Sequence, residues 1–218
     1  MTELDFALKK AKVLHDGKQN LLRIGIFDAP YINDFWITFY KTLLKIDPSL
    51  EIEVVRGNFT DLYNDFVNEL YDLILTLDHT LLMSKFPFCY KRLFYREYAI
   101  IYSKDSEFGK MERLDFRDFD HKNVYVVDNE RNIERVLSEL ASVGILNPKI
   151  QRVSNSLTVS TYLEAGNGFA LIDKNIVQYN DSLRAFSGGG CFSGTYVTAV
   201  WRKESLPVQK IMAAYDKT

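Results

Sequence analysis

Short apolar runs alternate along this chain with segments of helical period, and the links between them are only a few residues long. LLRIGIF (21–27), EIEVV (51–55) and LILTL (73–77) each read as a strand buried on at least one face. Between the first two, a helix is expected from Asn33 to Ile46, with Phe35, Phe39, Leu43 and Leu44 on its inner side and Pro48 stopping it. Between the second and third, Gly57-Asn58 turns the chain, and Thr60 is the expected cap of a helix carrying Leu62, Phe66 and Leu70 at four-residue spacing. A strand–helix–strand–helix–strand order with short links implies right-handed crossovers and a parallel sheet. The expected class is α/β.

RLFYREYAIIYS (92–103) holds strand-forming residues for longer than one strand needs. It reads as a strand that leaves the first sheet, passes a hinge near Arg96-Glu97 and enters a second sheet. The alternation then repeats: strand NVYVV (123–127), a helix 132–141 with Ile133, Val136, Leu137 and Leu140 on one side, strand KIQRV (149–153), and a helix 156–165. Gly166 and Gly168 end that helix and turn the chain into FALI (169–172). TYVTAVW (195–201) is a further strand, and a last helix covers 207–215. Ser187–Gly190 reads as a mobile loop. The expected division is 19–96 with 201–218 as a first lobe and 97–200 as a second, alike in element order but not a sequence repeat.

Residues 3–15 form a short helix in this reading, with Thr2 as cap, Asp5 completing a weak capping box, and Gly17 as stop. Its apolar seam (Leu4, Ala7, Ala11, Leu14) is thin, which suits packing on another chain or domain; folding onto its own domain is the alternative.

Composition removes several function classes. Lys plus Arg number 27 against 29 Asp plus Glu, a net charge of −2, which argues against extended nucleic-acid contact by this segment. The two cysteines, Cys89 and Cys191, have no paired spacing, so free thiols compatible with a reducing cytosol are expected rather than a disulfide framework or zinc site. The first twenty residues lack the apolar core of a secretory signal, and no apolar run approaches a membrane span. Neither membrane attachment nor a cofactor is expected.

Read together, LLRIGIF, DPSLE (47–51), EIEVVRGN, YDLILTL, SNSLTVSTYLEAGNGFALI (154–172) and AVWRKES resemble the effector-binding region of LysR-type transcriptional regulators over nearly the whole chain. The hydroxyl-led helix running into A-G-x-G and a buried strand is the most specific part. The resemblance implies the architecture of type 2 periplasmic binding proteins: two Rossmann-like lobes with a hinge, closing on a small-molecule effector. It also implies a linker helix, of which 1–18 would be the remnant. Contact with DNA would come only through an N-terminal winged helix-turn-helix absent from this segment. A cytoplasmic homodimer or higher homo-oligomer is implied, pairing through the helix at 33–46 and the strand at 51–55 on one face and the second lobe on the other. The alternative is a solute-binding protein for transport.

Ligands of open α/β sheets bind at the carboxyl ends of the strands. That places Asp28, Pro30, Tyr31, Asn58, Phe59, Thr76 and Asp78 of the first lobe, and Asp128, Asn129, Asn155, Ser156 and Thr158 of the second, as candidate ligand contacts. Helix starts beside these loops, with Ser156 and Thr158, offer donors to an anion. Conversely, Asp28, Asp78 and Asp128 suggest an effector with an amine or another strong hydrogen-bonding group, unless each caps a turn or pairs with Arg96 or Arg131. Tyr31, Phe59 and Tyr95 stand where they would line a partly apolar pocket. No metal-ligand spacing, nucleophile motif or phosphate loop occurs, and His79 beside Asp78 is the one acid–base pair worth weighing against a plain loop histidine. Catalysis is not expected.

Overall fold

Leu21–Phe27 forms β1, with Ile24, Ile26 and Phe27 wholly buried. The computed structural model describes residues 20–28, 32–78, 88–127 and 130–215. The helix expected at 3–15 lies outside them. From β1 the chain enters helix α1 (Ile32–Ile46), then β2 (Glu51–Gly57), α2 (Phe59–Val67) and β3 (Leu73–Leu77). Strands β1 and β2 pair in parallel from Leu21↔Glu51 to Phe27↔Gly57, and β3 joins the other side of β1 in parallel with Ile26 opposite Leu75.

The cap of α2 differs from expectation. Asn58, not Thr60, precedes the helix: its side-chain oxygen accepts the Asp61 N–H at 2.9 Å while its amide donates to the Asp61 carboxylate at 2.7 Å. An amide satisfies both partners, which a Thr hydroxyl one turn-position later does not reach.

Strand β4 (Phe88–Arg96) belongs to the first sheet. One residue on, β5 (Tyr98–Ser103) belongs to the second. The second sheet is completed by β6 (Asn123–Val127), β7 (Lys149–Val153), β8 (Phe169–Asp173) and β9 (Leu183–Phe186), with α3 (Glu130–Ser142) and α4 (Ser156–Glu164) as crossovers. Strand β10 (Thr195–Arg202) returns to the first sheet, and α5 (Leu206–Tyr215) closes the described chain. The strand orders are β2-β1-β3-β10-β4 and β7-β6-β8-β5-β9.

Each sheet is mixed rather than wholly parallel. The returning strands run against their neighbours: β10 is antiparallel to β3, and β5 is antiparallel to both β8 and β9. Strand β9 escapes sequence reading because only Leu183 of LRAF is buried, leaving no alternation to detect. Ser187–Gly190, expected as a mobile loop, is a turn closed by the Gly190 N–H on Ser187 O at 2.9 Å. By contact the chain divides into two units. One holds the described residues up to Phe27, Asn33–Leu93 and Val197 onward; the other holds Asp28–Ile32 and Phe94–Tyr196.

The core of the second unit is rich in aromatics. Phe108 and Phe119 stack at 4.6 Å, and Phe169 meets Phe119 edge-on at 5.1 Å. All three are fully buried, each contributing about 1.5–3 kcal/mol of transfer free energy. The A-G-x-G segment has a steric reason in this unit. Gly168 has φ +89°, and a Cβ there would stand 2.4 Å from the Asn123 carbonyl oxygen. Gly168→Ala should therefore destabilise the chain by more than about 1 kcal/mol, read as a lower urea midpoint at unchanged m-value.

Candidate functional site

Parallel register gathers the carboxyl ends of the strands. In the first unit Phe27 lies opposite Gly57, so the segments following β1, β2 and β3 emerge along one edge. Phe59, the first residue of α2, stacks on Phe27 at 5.4 Å with ring planes 20° apart, and so the half-exposed Phe59 is held at that edge by a buried partner. Asn58 beside it is exposed but committed to capping. Asp28 is exposed directly after β1. Thr76 is buried within β3 opposite Thr198 of β10.

Asp78 has a partner within its own unit. Its Oδ2 accepts from Arg92 Nη2 at 2.6 Å and Nε at 2.9 Å. The pairing expected with Arg96 or Arg131 thus falls instead to Arg92, which follows on β4. A carboxylate held by two guanidinium N–H groups has less of its charge left for a ligand amine.

In the second unit Val127 lies opposite Val153, and Tyr98, opening β5, lies opposite Asp173, closing β8. The edge therefore carries Asn155, Ser156 and Thr158 after β7, and Tyr98 and Asp173 from β5 and β8. Asn155 caps α4: its Oδ1 accepts the Thr158 N–H at 2.9 Å and the Thr158 hydroxyl at 3.0 Å. Thr158 is thus engaged locally. The Ser156 hydroxyl makes no hydrogen bond among the described residues. Pro30, Tyr31, Asp128, Asn129 and His79 lie outside the described residues.

Sequence reasoning missed a polar group at this same edge. Asp173 is fully buried; its Oδ1 accepts the Asn175 N–H at 2.8 Å and its Oδ2 meets Arg96 Nε. Burial pushes its carboxyl up, and the Asn175 N–H and the Arg96 guanidinium pull it back. Beside it Tyr98 is buried under the guanidinium of Arg135, 4.5 Å from the ring centroid. Asn132 donates to the carbonyl of Val127 at 3.3 Å and accepts from Arg135 Nη2 at 3.1 Å. Asn132, Arg135 and Glu139 share one face of α3, a pattern that reads in sequence as an ordinary solvated face. Among the described residues no group of three His, Cys, Asp or Glu is placed to hold a metal ion, and no helix is long and apolar enough to cross a membrane.

Two α/β units, each presenting the carboxyl ends of parallel strands, define the class of two-lobed ligand-binding domains. The profile of the LysR substrate binding domain matches residues 15–215, and the chain belongs to that family, the effector-sensing domains of LysR-type transcriptional regulators. A cysteine-to-serine variant of the OxyR2 regulatory domain from Vibrio vulnificus superposes with a TM-score of 0.71 at 14% identity, covering 91% of this chain and 93% of that one. The CcmR regulatory domain of Synechocystis PCC6803, solved in complex with 2-PG, gives 0.69 at 10% identity, covering 90% and 96%. A full-length OxyR variant from Pseudomonas aeruginosa gives 0.66 at 15% identity, covering 98% of this chain and 75% of that one. Direct comparison with curated protein sequences finds no match. The transport reading is not favoured.

Burial and nearby charge leave a titration signature. Burial first, then neighbouring carboxylates, push the Tyr71 phenol up to about 12; burial also brings Tyr98 to about 12, against the pull of Arg135. A raised folded value means the folded chain keeps protons that the unfolded chain loses. The stabilisation is complete below 10, the ordinary phenol value, and is lost as pH rises from there toward 12. Urea midpoints at pH 8, 10 and 11 should fall in that order, and the fall should shrink in Tyr98→Phe.

Proposed function

We propose that this chain senses a small molecule at the carboxyl edges of its two sheets and passes the binding free energy to a DNA-binding domain outside the segment, as part of a cytoplasmic, non-enzymatic homo-oligomer. The family match from residue 15 to residue 215, spanning both units, carries this reading. The geometry supports it, since both units gather loop residues at a strand edge. Asp28, Asn58, Phe59, Thr76 and Asp78 are assigned as ligand contacts of the first unit, and Asn155, Ser156 and Thr158 as ligand contacts of the second. Pro30, Tyr31, Asp128 and Asn129 are assigned from sequence order alone. The complex of the CcmR domain with 2-PG supports an effector of metabolite size for this fold. A ligand shifts such a switch only through differential affinity for its states. DNA would be engaged only through an N-terminal winged helix-turn-helix.

Native mass spectrometry of the purified chain, followed by calorimetric titration with amines and carboxylates, should show one small molecule bound per chain. Phe59→Ala should weaken it by roughly tenfold through loss of an aromatic wall. A folded chain that carries nothing and binds nothing from the panel would defeat the reading.

Self-association is supported by exposed apolar surface. Ile37 is 49% exposed on α1, and Tyr40 and Val55 are exposed on α1 and β2. On the second unit Leu157 is 63% exposed, with Ile150 and Tyr162 exposed on β7 and α4. The two patches suit antiparallel pairing of copies, the first unit of one against the second unit of another. Light scattering at high concentration should give a dimer mass, and Ile37→Asp should return the monomer; a strict monomer in the unaltered chain would exclude the arrangement.

A further inference from the structure

We propose that Arg135 is the anion-receiving group of the second unit, so that the effector presents a carboxylate or another oxyanion to it. The proposal rests on the reading of the chain as a small-molecule sensor and names the chemistry of its ligand. Arg135 lies in the second turn of α3, its guanidinium over the Tyr98 ring at 4.5 Å. The ring supplies a π face and no oxygen acceptor for the guanidinium N–H groups. One nitrogen, Nη2, donates to Asn132 Oδ1 at 3.1 Å. The other two, Nε and Nη1, are shut off from solvent and meet no acceptor among the described residues.

No carboxylate of the described residues forms an ion pair with Arg135. Glu139, one turn along the same face, spends its Oε2 on the Ser193 N–H at 3.0 Å. Of the other half-buried arginines, Arg23 lies against Asp72 and Arg96 against Asp173, while Arg202 donates to the carbonyls of Phe66 and Tyr71. Arg135 has an aromatic ring and a neutral amide, neither of which supplies negative charge, and unlike Arg202 it keeps two nitrogens without an acceptor among the described residues.

Its place in the fold favours a ligand over an incidental vacancy of partners. Tyr98 opens β5 opposite the last residue of β8, and Asn132 is tied to the carbonyl of the last residue of β6. Both anchor Arg135 at the carboxyl edge of the sheet, where open α/β folds take their ligands. Water in that position would satisfy the hydrogen bonds without neutralising the charge; an oxyanion does both. The ring and the amide also hold the guanidinium plane before the ligand arrives, which lowers the ordering cost of binding.

The test uses the whole chain with Arg135→Met and Arg135→Lys. Sodium acetate, benzoate, phosphate and sulfate are titrated by calorimetry at matched ionic strength, with choline chloride as control. At least one oxyanion should bind once per chain and raise the melting temperature. Arg135→Met should weaken it by roughly tenfold or more, with Arg135→Lys in between. In arginine-labelled wild-type protein, the Arg135 Nε–H resonance should move with the same midpoint, a readout independent of how the variants fold. An unmoved resonance at saturation, full affinity in Arg135→Met, or no oxyanion bound would each overturn the proposal. A neutral or cationic molecule bound equally by wild type and Arg135→Met would overturn it while leaving the sensor reading intact. Inorganic oxyanion binding at Arg135 with no organic molecule taken up would uphold the Arg135 site and count against the sensor reading.

Discussion

Parallel strand pairing is the constraint from which the rest of this architecture follows. A parallel pair cannot be closed by a tight turn, so each link must cross a sheet face, and α1 to α4 are those crossings. Register then does the gathering. With Phe27 opposite Gly57 in one unit and Val127 opposite Val153 in the other, residues far apart in sequence are delivered to a common edge. The antiparallel additions extend this. Because β5 runs against β8, its first residue, Tyr98, reaches the edge at which β8 ends, and brings with it an aromatic face on which Arg135 rests.

How much of this was legible in the sequence depended on whether a feature was local. The buried strands were readable because LILTL and NVYVV are apolar and short, and α1 because Phe35, Phe39 and Leu43 recur on one face. The passage of the chain from the first sheet to the second was readable in RLFYREYAIIYS, since no single strand needs that length; β4 ends at Arg96 and β5 begins at Tyr98. Antiparallel return was not readable, because apolar periodicity carries no strand direction. Nor was the choice of Asn58 over Thr60, which turns on two simultaneous hydrogen bonds to Asp61.

The candidate site was legible as a list of positions and not as a distribution of charge. Strand-end counting found Asp28, Asp78 and Asn155, but it did not find the partners that occupy Asp78 and Asn155. Asp78 pairs with Arg92 across a stretch of chain whose path the sequence does not disclose, and Asn155 is occupied by Thr158. Arg135 escaped because a charged residue in the middle of an amphipathic helix reads as solvent-facing. Only the meeting of α3 with β5, 37 positions apart at Tyr98 and Arg135, turns it inward.

Structures that share 10–15% identity with this chain keep its frame, which shows that the frame tolerates almost any residues of the right pattern. Recognition has no such tolerance, and it depends on charge left over after internal pairing rather than on charge counted along the sequence. A net charge of −2 and a row of strand-end aspartates point toward a cationic ligand. Asp78 is paired with Arg92 in the first unit, and at the second unit's edge Asp173 is paired with Arg96. Among the described residues, the second unit's edge also carries a guanidinium that lies over a ring and bonds one amide, with two donor nitrogens unanswered. A buried cation in that condition is more costly than a buried neutral group. A negative partner relieves that cost, and it moves a sensing domain only by the amount that the relief differs between the domain's conformational states.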